Sequence, residues 1–176
     1  MKKIILAMAA FAFSMGIMSA QDLATATATY NSGAEALTMG NKTSALEYFQ
    51  KALTMAQSLG DEGAEVVANC KTAIPSTILS IGKELYNNKD FVNAKAKFEE
   101  AAAVAKEYGN EEVGTEVASL LPTVAKRIAL EKVNEAMKNK DVAGVLAGYE
   151  EAVAIDTTDA NTALKYGQFL GNAGKF

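Results

Sequence analysis

The chain has 176 residues, 49% of them hydrophobic and 22% charged, with two prolines; that is enough apolar material for one packed domain and excludes a disordered polypeptide. Histidine is absent, which removes the commonest metal ligand and the commonest general base, and a formal net charge of −4 without a basic tail argues against nucleic acid as a partner. Cys70 is the only cysteine, so there is no intramolecular disulfide to form and no cysteine near the start to carry a lipid.

The opening segment, MKKIILAMAAFAFSMGIMSA, places Lys2 and Lys3 before an apolar run from Ile4 to Phe13 and small residues up to Ala20, the layout of a secretory signal. Cleavage after Ala20 leaves residues 21–176, more acidic by the two lysines, as a soluble chain in the periplasm or outside the cell. Retained, the segment would be a membrane anchor, although its apolar stretch is shorter than the roughly 20 residues that a span needs. No later segment is apolar enough to cross a bilayer, so no transmembrane segment is expected after signal removal.

From Leu23 to Met39 the apolar residues recur at helical spacing, and Asn41 then caps a second helix starting near residue 42. Ala45, Phe49 and Ala52 share one face of that helix, because spacings of four and three bring side chains to the same side. The pattern returns twice. First helices run from Thr77 to Asn88 and from Thr123 to Asn139; second helices begin near 91 behind Asp90, with Ala94, Phe98 and Ala101, and near 142 behind Asp141, with Val145, Tyr149 and Ala152. The later copies, NKDFVNAKAKFEEAAAVA from Asn88 and NKDVAGVLAGYEEAVAID from Asn139, share eight of eighteen residues, which marks an internal repeat. Gly33 and Gly82 each stand twelve residues before the alanine that opens the trio. Glycine inside a helix costs about 1 kcal/mol against alanine, so its recurrence indicates a close helix approach.

Two inserts separate the copies, GDEGAEVVANCKTAIP from Gly60 and GNEEVGTEVASLLP from Gly109. Each opens with a glycine-polar-acidic turn and becomes apolar at helical spacing, so each lengthens the first helix that follows. Pro75 and Pro122 at the joins either kink one long helix or occupy the first turn of a new one. The continuous form, which the pattern favours, gives helices of about 27 residues and about 40 Å. At the far end ALKYGQFLGNAGKF carries Gly167, Gly174 and Phe176 at the offsets of a fourth first helix and its turn, a closing helix over 160–173 that covers the apolar face left by the last pair.

These residues resemble the tetratricopeptide repeat (TPR) family, whose glycine, turn, alanine, aromatic and alanine appear here as Gly33, Gly40-Asn41, Ala45, Phe49, Ala52 and as Gly82, Lys89-Asp90, Ala94, Phe98, Ala101. The chain departs from the family pattern in having Val133 at the third glycine position, no tryptophan, and spacings of 94 − 45 = 49 and 145 − 94 = 51 where the family uses about 34. The resemblance implies an all-α fold: a right-handed superhelical array of antiparallel helix pairs, with repeats at about 26–59, 75–108 and 122–156 and the closing helix. Together with the export signal and the lack of any catalytic or metal-binding motif, the expected protein is an exported bacterial, non-enzymatic scaffold of the cell envelope without cofactor or metal, and the resemblance implies that it holds a peptide or partner protein in a concave groove lined by the first helices. The positions one and four residues after the helix glycine carry over to Ala34, Leu37, Lys83, Tyr86, Asn134 and Met137, with Gln168 near the end. One turn earlier the same face holds Tyr30, Leu79 and Leu130, and Asn87, Arg127 and Lys138 are neighbours. The binding set is therefore Tyr30, Lys83, Tyr86, Asn87, Arg127, Asn134 and Lys138. Such a wall is neutral to basic in an acidic protein, which favours a partner segment bearing carboxylates. The lysine, asparagine and arginine set that some family members use to clamp a C-terminal carboxylate is not reproduced at its spacing.

The remaining candidates have plain readings. Cys70 lies in the apolar series Val67, Cys70, Ile74, Ile78 and reads as a buried, inert thiol. Glu99-Glu100 and Glu150-Glu151 read as solvated outer faces, because neighbouring helix positions point about 100° apart. Glu111-Glu112 and Asp61-Glu62 suit helix starts. Asn41-Lys42-Thr43 fits a glycosylation acceptor pattern and is read as a cap; Asp156-Thr157-Thr158 resembles an O-linked sugar attachment motif of some Gram-negative bacteria and reads also as a capping turn. Two rival functions stand beside the scaffold. A small-molecule or glycan binder would use Tyr30 and Tyr86 as stacking surfaces and show an enclosed pocket; a self-associating structural protein would bury leftover apolar surface against its own copy.

Overall fold

The computed structural model describes residues 2–173, with side chains from residue 20 onward. Among the described residues the chain is all-α, with helices α1 (Lys2–Thr38), α2 (Lys42–Gln57), α3 (Ala64–Asn87), α4 (Phe91–Tyr108), α5 (Glu111–Lys138), α6 (Val142–Ile155) and α7 (Ala160–Asn172), and a 3₁₀ turn at Gly60–Gly63. None of the described helices is long and apolar enough to cross a membrane. The side chains of the expected signal up to residue 19, and Gly174 and Phe176 of the expected final turn, lie outside the described residues.

Local chemistry sets the start of each second helix. The side-chain oxygen of Asn41 accepts the Ser44 N–H at 3.1 Å, that of Asp90 accepts the Asn93 N–H at 3.3 Å, and that of Asp141 accepts the Gly144 N–H at 3.0 Å. The preceding first helices all stop in one way. Gly40, Lys89 and Lys140 adopt left-handed backbone with φ of 80°, 64° and 57°. The N–H of the next residue then reaches back five positions, Asn41 to Ala36, Asp90 to Leu85 and Asp141 to Ala136, each at 2.9 Å. Only the first of these turns uses the residue type that the geometry prefers.

Pro75 and Pro122 lie inside α3 and α5, so both long helices are continuous, with 24 and 28 residues. The first is shorter than expected because Gly60–Gly63 forms its own turn. A helical proline frees a carbonyl in the turn before it, and hydroxyls near each proline add bonds there: Ser76 and Thr77 donate to Thr72 and Ala73 at 2.9 and 2.7 Å, and Thr123 donates to Ser119 at 3.5 Å.

Two compact units divide the chain, Met1–Ser80 with Val104–Asn110 and Ile81–Ala103 with Glu111–Phe176, and the divisions fall within α3, within α4 and between α4 and α5. In the first unit α1 packs on α2 through the Gly33 notch: a methyl group at Gly33 would stand 2.7 Å from the Phe49 ring. Ala45, Phe49, Ala52 and Ala56 are buried there, as are Cys70, Ile74 and Ile78 of α3. Val66, not Val67, takes the buried place one turn before Cys70. In the second unit Gly82 meets Phe98 at the same 2.7 Å. The third seam, between α5 and α6, is built the other way round: a methyl group added at Gly148 of α6 would stand 2.6 Å from Val133 Cγ2 of α5. Helix α7 then covers the cluster of Val133, Ala136, Val145 and Tyr149, with Tyr166 and Phe169 packed onto it. Tyr149 stacks on Tyr166 at 5.9 Å and lies 6.3 Å from Phe169. Gly167, at the offset of a fourth first helix, has nothing within 4 Å of an added methyl group.

Candidate functional site

Six of the seven residues expected to bind belong to the second unit, and Tyr30 belongs to the first. Tyr30 is half-buried, with its ring 5.2 Å from that of Phe49, so part of its surface is committed to the α1–α2 seam. Lys83 on α3 forms an ion pair with Glu116 on α5 at 2.5 Å. Tyr86, one turn on, packs edge-on against Phe91 at 5.1 Å and accepts a hydrogen bond at 3.4 Å from Arg127 Nε. Lys83, Tyr86 and Arg127 are therefore tied to one α3–α5 face. Asn87 is exposed at the end of α3. Asn134 and Lys138 are exposed on the last turns of α5, where they line a shallow hollow with Glu131 and Glu135.

This geometry corrects the expected charge of the wall. Glu116 neutralises Lys83, and Glu131 and Glu135 stand beside Lys138, so the face is mixed in sign. Leu79, assigned to the same face by spacing, is 4% exposed and belongs to the core, and Leu130 packs against the α5–α6 cluster. Ala34, Leu37, Asn134, Met137 and Gln168 are exposed as their positions require.

A second feature was not anticipated. Between α5, the end of α6 and α7 lies a cavity of about 570 Å³ with Lys126 in its wall. Lys126 Nζ bridges two elements, reaching Asp156 at 2.8 Å and Asp159 at 2.5 Å. Asp156 also accepts from the Thr158 hydroxyl and N–H, and Asp159 accepts from the N–H groups of Asn161 and Thr162 and from the Thr162 hydroxyl. The Lys126 ammonium, followed by the Thr158 hydroxyl, lowers the Asp156 carboxyl to about 2. Asp159 is held well below the usual carboxylate range, again by Lys126 first and then by Thr162, and Lys126 itself is raised by its two acids. Asp156-Thr157-Thr158 is thus a structured turn, with Thr157 exposed. Sequence spacing pointed to Arg127 but not to Lys126 or Lys165; the capping pattern at Asp159 was the available signal.

The other candidate groups are occupied in ordinary ways. Burial pushes the Cys70 thiol up to about 11, which suits an inert side chain. Glu99 and Glu100 pair with Lys95 at 3.2 Å and Lys97 at 2.6 Å, while Glu151 pairs with Lys132 at 2.8 Å and Glu150 accepts from Tyr166 OH at 2.9 Å. Among the described residues no group of three or more acids and cysteines is placed to hold a metal ion. Compared with known proteins, the chain matches no protein-family model and no curated protein.

Proposed function

We propose that this chain is an exported, non-enzymatic scaffold of the bacterial cell envelope, a TPR-like right-handed array of three helix pairs and a closing helix that holds a peptide or partner protein on its first helices. One observation carries the reading. At the same position of the three first helices stands a large side chain that remains at least partly accessible: Leu37, 38% exposed, half-buried Tyr86, and Met137, 43% exposed. Around them are polar groups such as Asn87, Asn134 and Lys138. Apolar anchors with a polar surround are what an interaction surface needs, whereas a merely solvated face has no use for a thrice-repeated apolar position. The recurring cap and left-handed turn, and a glycine notch at each of the three seams, support the array.

The test is capture of a partner from the native envelope fraction on the immobilised chain, compared with Lys83→Ala/Tyr86→Ala/Arg127→Ala. The expected result is a specific protein retained by the wild type and lost by the triple variant. Equal capture by both would remove this face from the function. A second reading, a binder of small molecules, is favoured by the cavity at Lys126, whose volume falls among those of small-ligand sites.

A further inference from the structure

We propose that the cavity between α5, α6 and α7 is a binding site for a single carboxylate joined to a short apolar body. Its charges decide the ligand class. Lys126, Arg127 and Lys165 face Asp156 and Asp159, three positive charges against two negative, which leaves one positive charge for the occupant to balance. The pairing is uneven, because Lys126 takes both carboxylates. Arg127 and Lys165 have no carboxylate partner among the described residues; Arg127 is oriented through Nε by Tyr86 OH, so its two terminal amino groups remain to bind. A dianion such as phosphate would exceed the available charge beside two ionised aspartates, whereas a monocarboxylate matches it. Pro122, Leu130 and Ile155 supply apolar wall for the remainder of the ligand. The N-terminus of α7 is not the seat of the anion, because Asp159 already caps it.

The walls are held in place before any ligand arrives. Lys126 fastens α5 to the turn between α6 and α7, and the Tyr149–Tyr166 stack ties α7 to α6. Little ordering is then required on binding, which favours affinity for a small ligand. The site needs no partner protein on the first-helix face, although Arg127 borders both.

The full chain, labelled with nitrogen-15, is titrated with hexanoate, hexanamide and hexylamine, and with Gly-Gly-Leu carrying a free or an amidated terminus. Hexanoate is expected to shift the backbone amide signals of residues 123–130 and 159–165, with the amide and amine probes leaving them in place. Arg127→Gln and Lys165→Gln, both on exposed side chains, should each weaken hexanoate binding about tenfold, the scale of one lost charge-assisted contact. Lys83→Ala, which impairs the partner-protein face without lining the cavity, should not alter it. Tighter binding of free-terminus Gly-Gly-Leu than of hexanoate identifies a chain end as the source of the carboxylate, and the reverse order identifies a small free acid. The proposal is overturned if hexanamide binds as well as hexanoate, if no carboxylate shifts these signals, or if Lys83→Ala abolishes the response.

Discussion

The α1–α2 seam and the α5–α6 seam solve one packing problem with opposite assignments. In the first, the notch is Gly33 on the first helix and the filler is the Phe49 ring on the second. In the other, the first helix carries the filler, Val133, and the notch has moved to Gly148, the residue just before Tyr149. The third copy therefore keeps its close approach despite lacking a glycine at the position of Gly33 and Gly82. What the joint requires is a small residue against a large one, and either helix can supply it. The α3–α4 seam, with Gly82 against Phe98, follows the first arrangement.

That comparison breaks most directly at Gly148. On an open helix surface, Gly→Ala stabilises by about 0.5–1 kcal/mol through backbone entropy. Nothing lies within 4 Å of Gly114 or Gly167, so Gly114→Ala and Gly167→Ala should raise the denaturation midpoint. At Gly148 the added methyl would meet Val133 Cγ2 at 2.6 Å and the Ala129 carbonyl at 3.2 Å, and overpacking should reverse the sign to a loss of about 1–3 kcal/mol. Val133→Ala should recover most of that loss in the double variant, because the two positions occupy one space. Urea unfolding of the four proteins measures the coupling. Additive effects, or a stabilised Gly148→Ala, would dissolve the seam exchange.

The joints were legible in the sequence to the extent that their chemistry was local. Asn41, Asp90 and Asp141 marked the starts of α2, α4 and α6 because a short acceptor before an apolar period has one obvious use. Gly33 and Gly82 showed close approach because glycine has a cost that something must offset. Gly148 was equally visible in the text AGYEE against AKFEE, but a search confined to first helices passes over it. The binding face was legible only as a set of positions. Exposure of Asn134 and Lys138 followed from spacing, whereas the pairing of Lys83 with Glu116 depends on which turn of α5 lies opposite Lys83, and the burial of Leu79 on packing that spacing alone does not give. The cavity was illegible because Lys126, Asp156 and Asp159 come from separate elements brought together by packing.

The second contrast is between those seams and the junction of α7, where an ionic latch is added to aromatic packing. Asp156 and Asp159 have depressed values in the fold, so their contribution is fully present above the ordinary aspartate value near 3.9 and is lost in strong acid, as pH falls through about 2 for Asp156 and lower still for Asp159. Lys126 is raised, so its share is present below its ordinary value near 10.5 and is lost only as pH rises beyond it. Docking of α7 should hence be flat across neutral pH and weaken in strong acid. The near-ultraviolet circular dichroism of the Tyr149–Tyr166 stack reads it. Lys126→Met should reduce that signal at pH 7, with a smaller further change on acidification than in the wild type. An unaltered acid profile in Lys126→Met would assign the acid response to other carboxylates.

The smallest effects belong to the turns, where the three copies again differ by a single residue type. Gly40, Lys89 and Lys140 occupy the same left-handed position and sit in the same pair of backbone hydrogen bonds. A side chain there crowds its own carbonyl by about 1–2 kcal/mol, part of which glycine returns through its greater freedom when unfolded. Lys89→Gly and Lys140→Gly should thus each stabilise by a few tenths to about 1 kcal/mol, with asparagine giving less. Gly40→Lys should lose a comparable amount, since nothing lies within 4 Å to impose any cost other than backbone strain. Equal and opposite values at the two ends of the exchange would show that the turns are one joint written in different residues. A neutral Lys89→Gly paired with a damaging Gly40→Lys would instead show that the second copy has relaxed around its lysine, and the equivalence of the turns would fail at the level of energy while surviving in geometry.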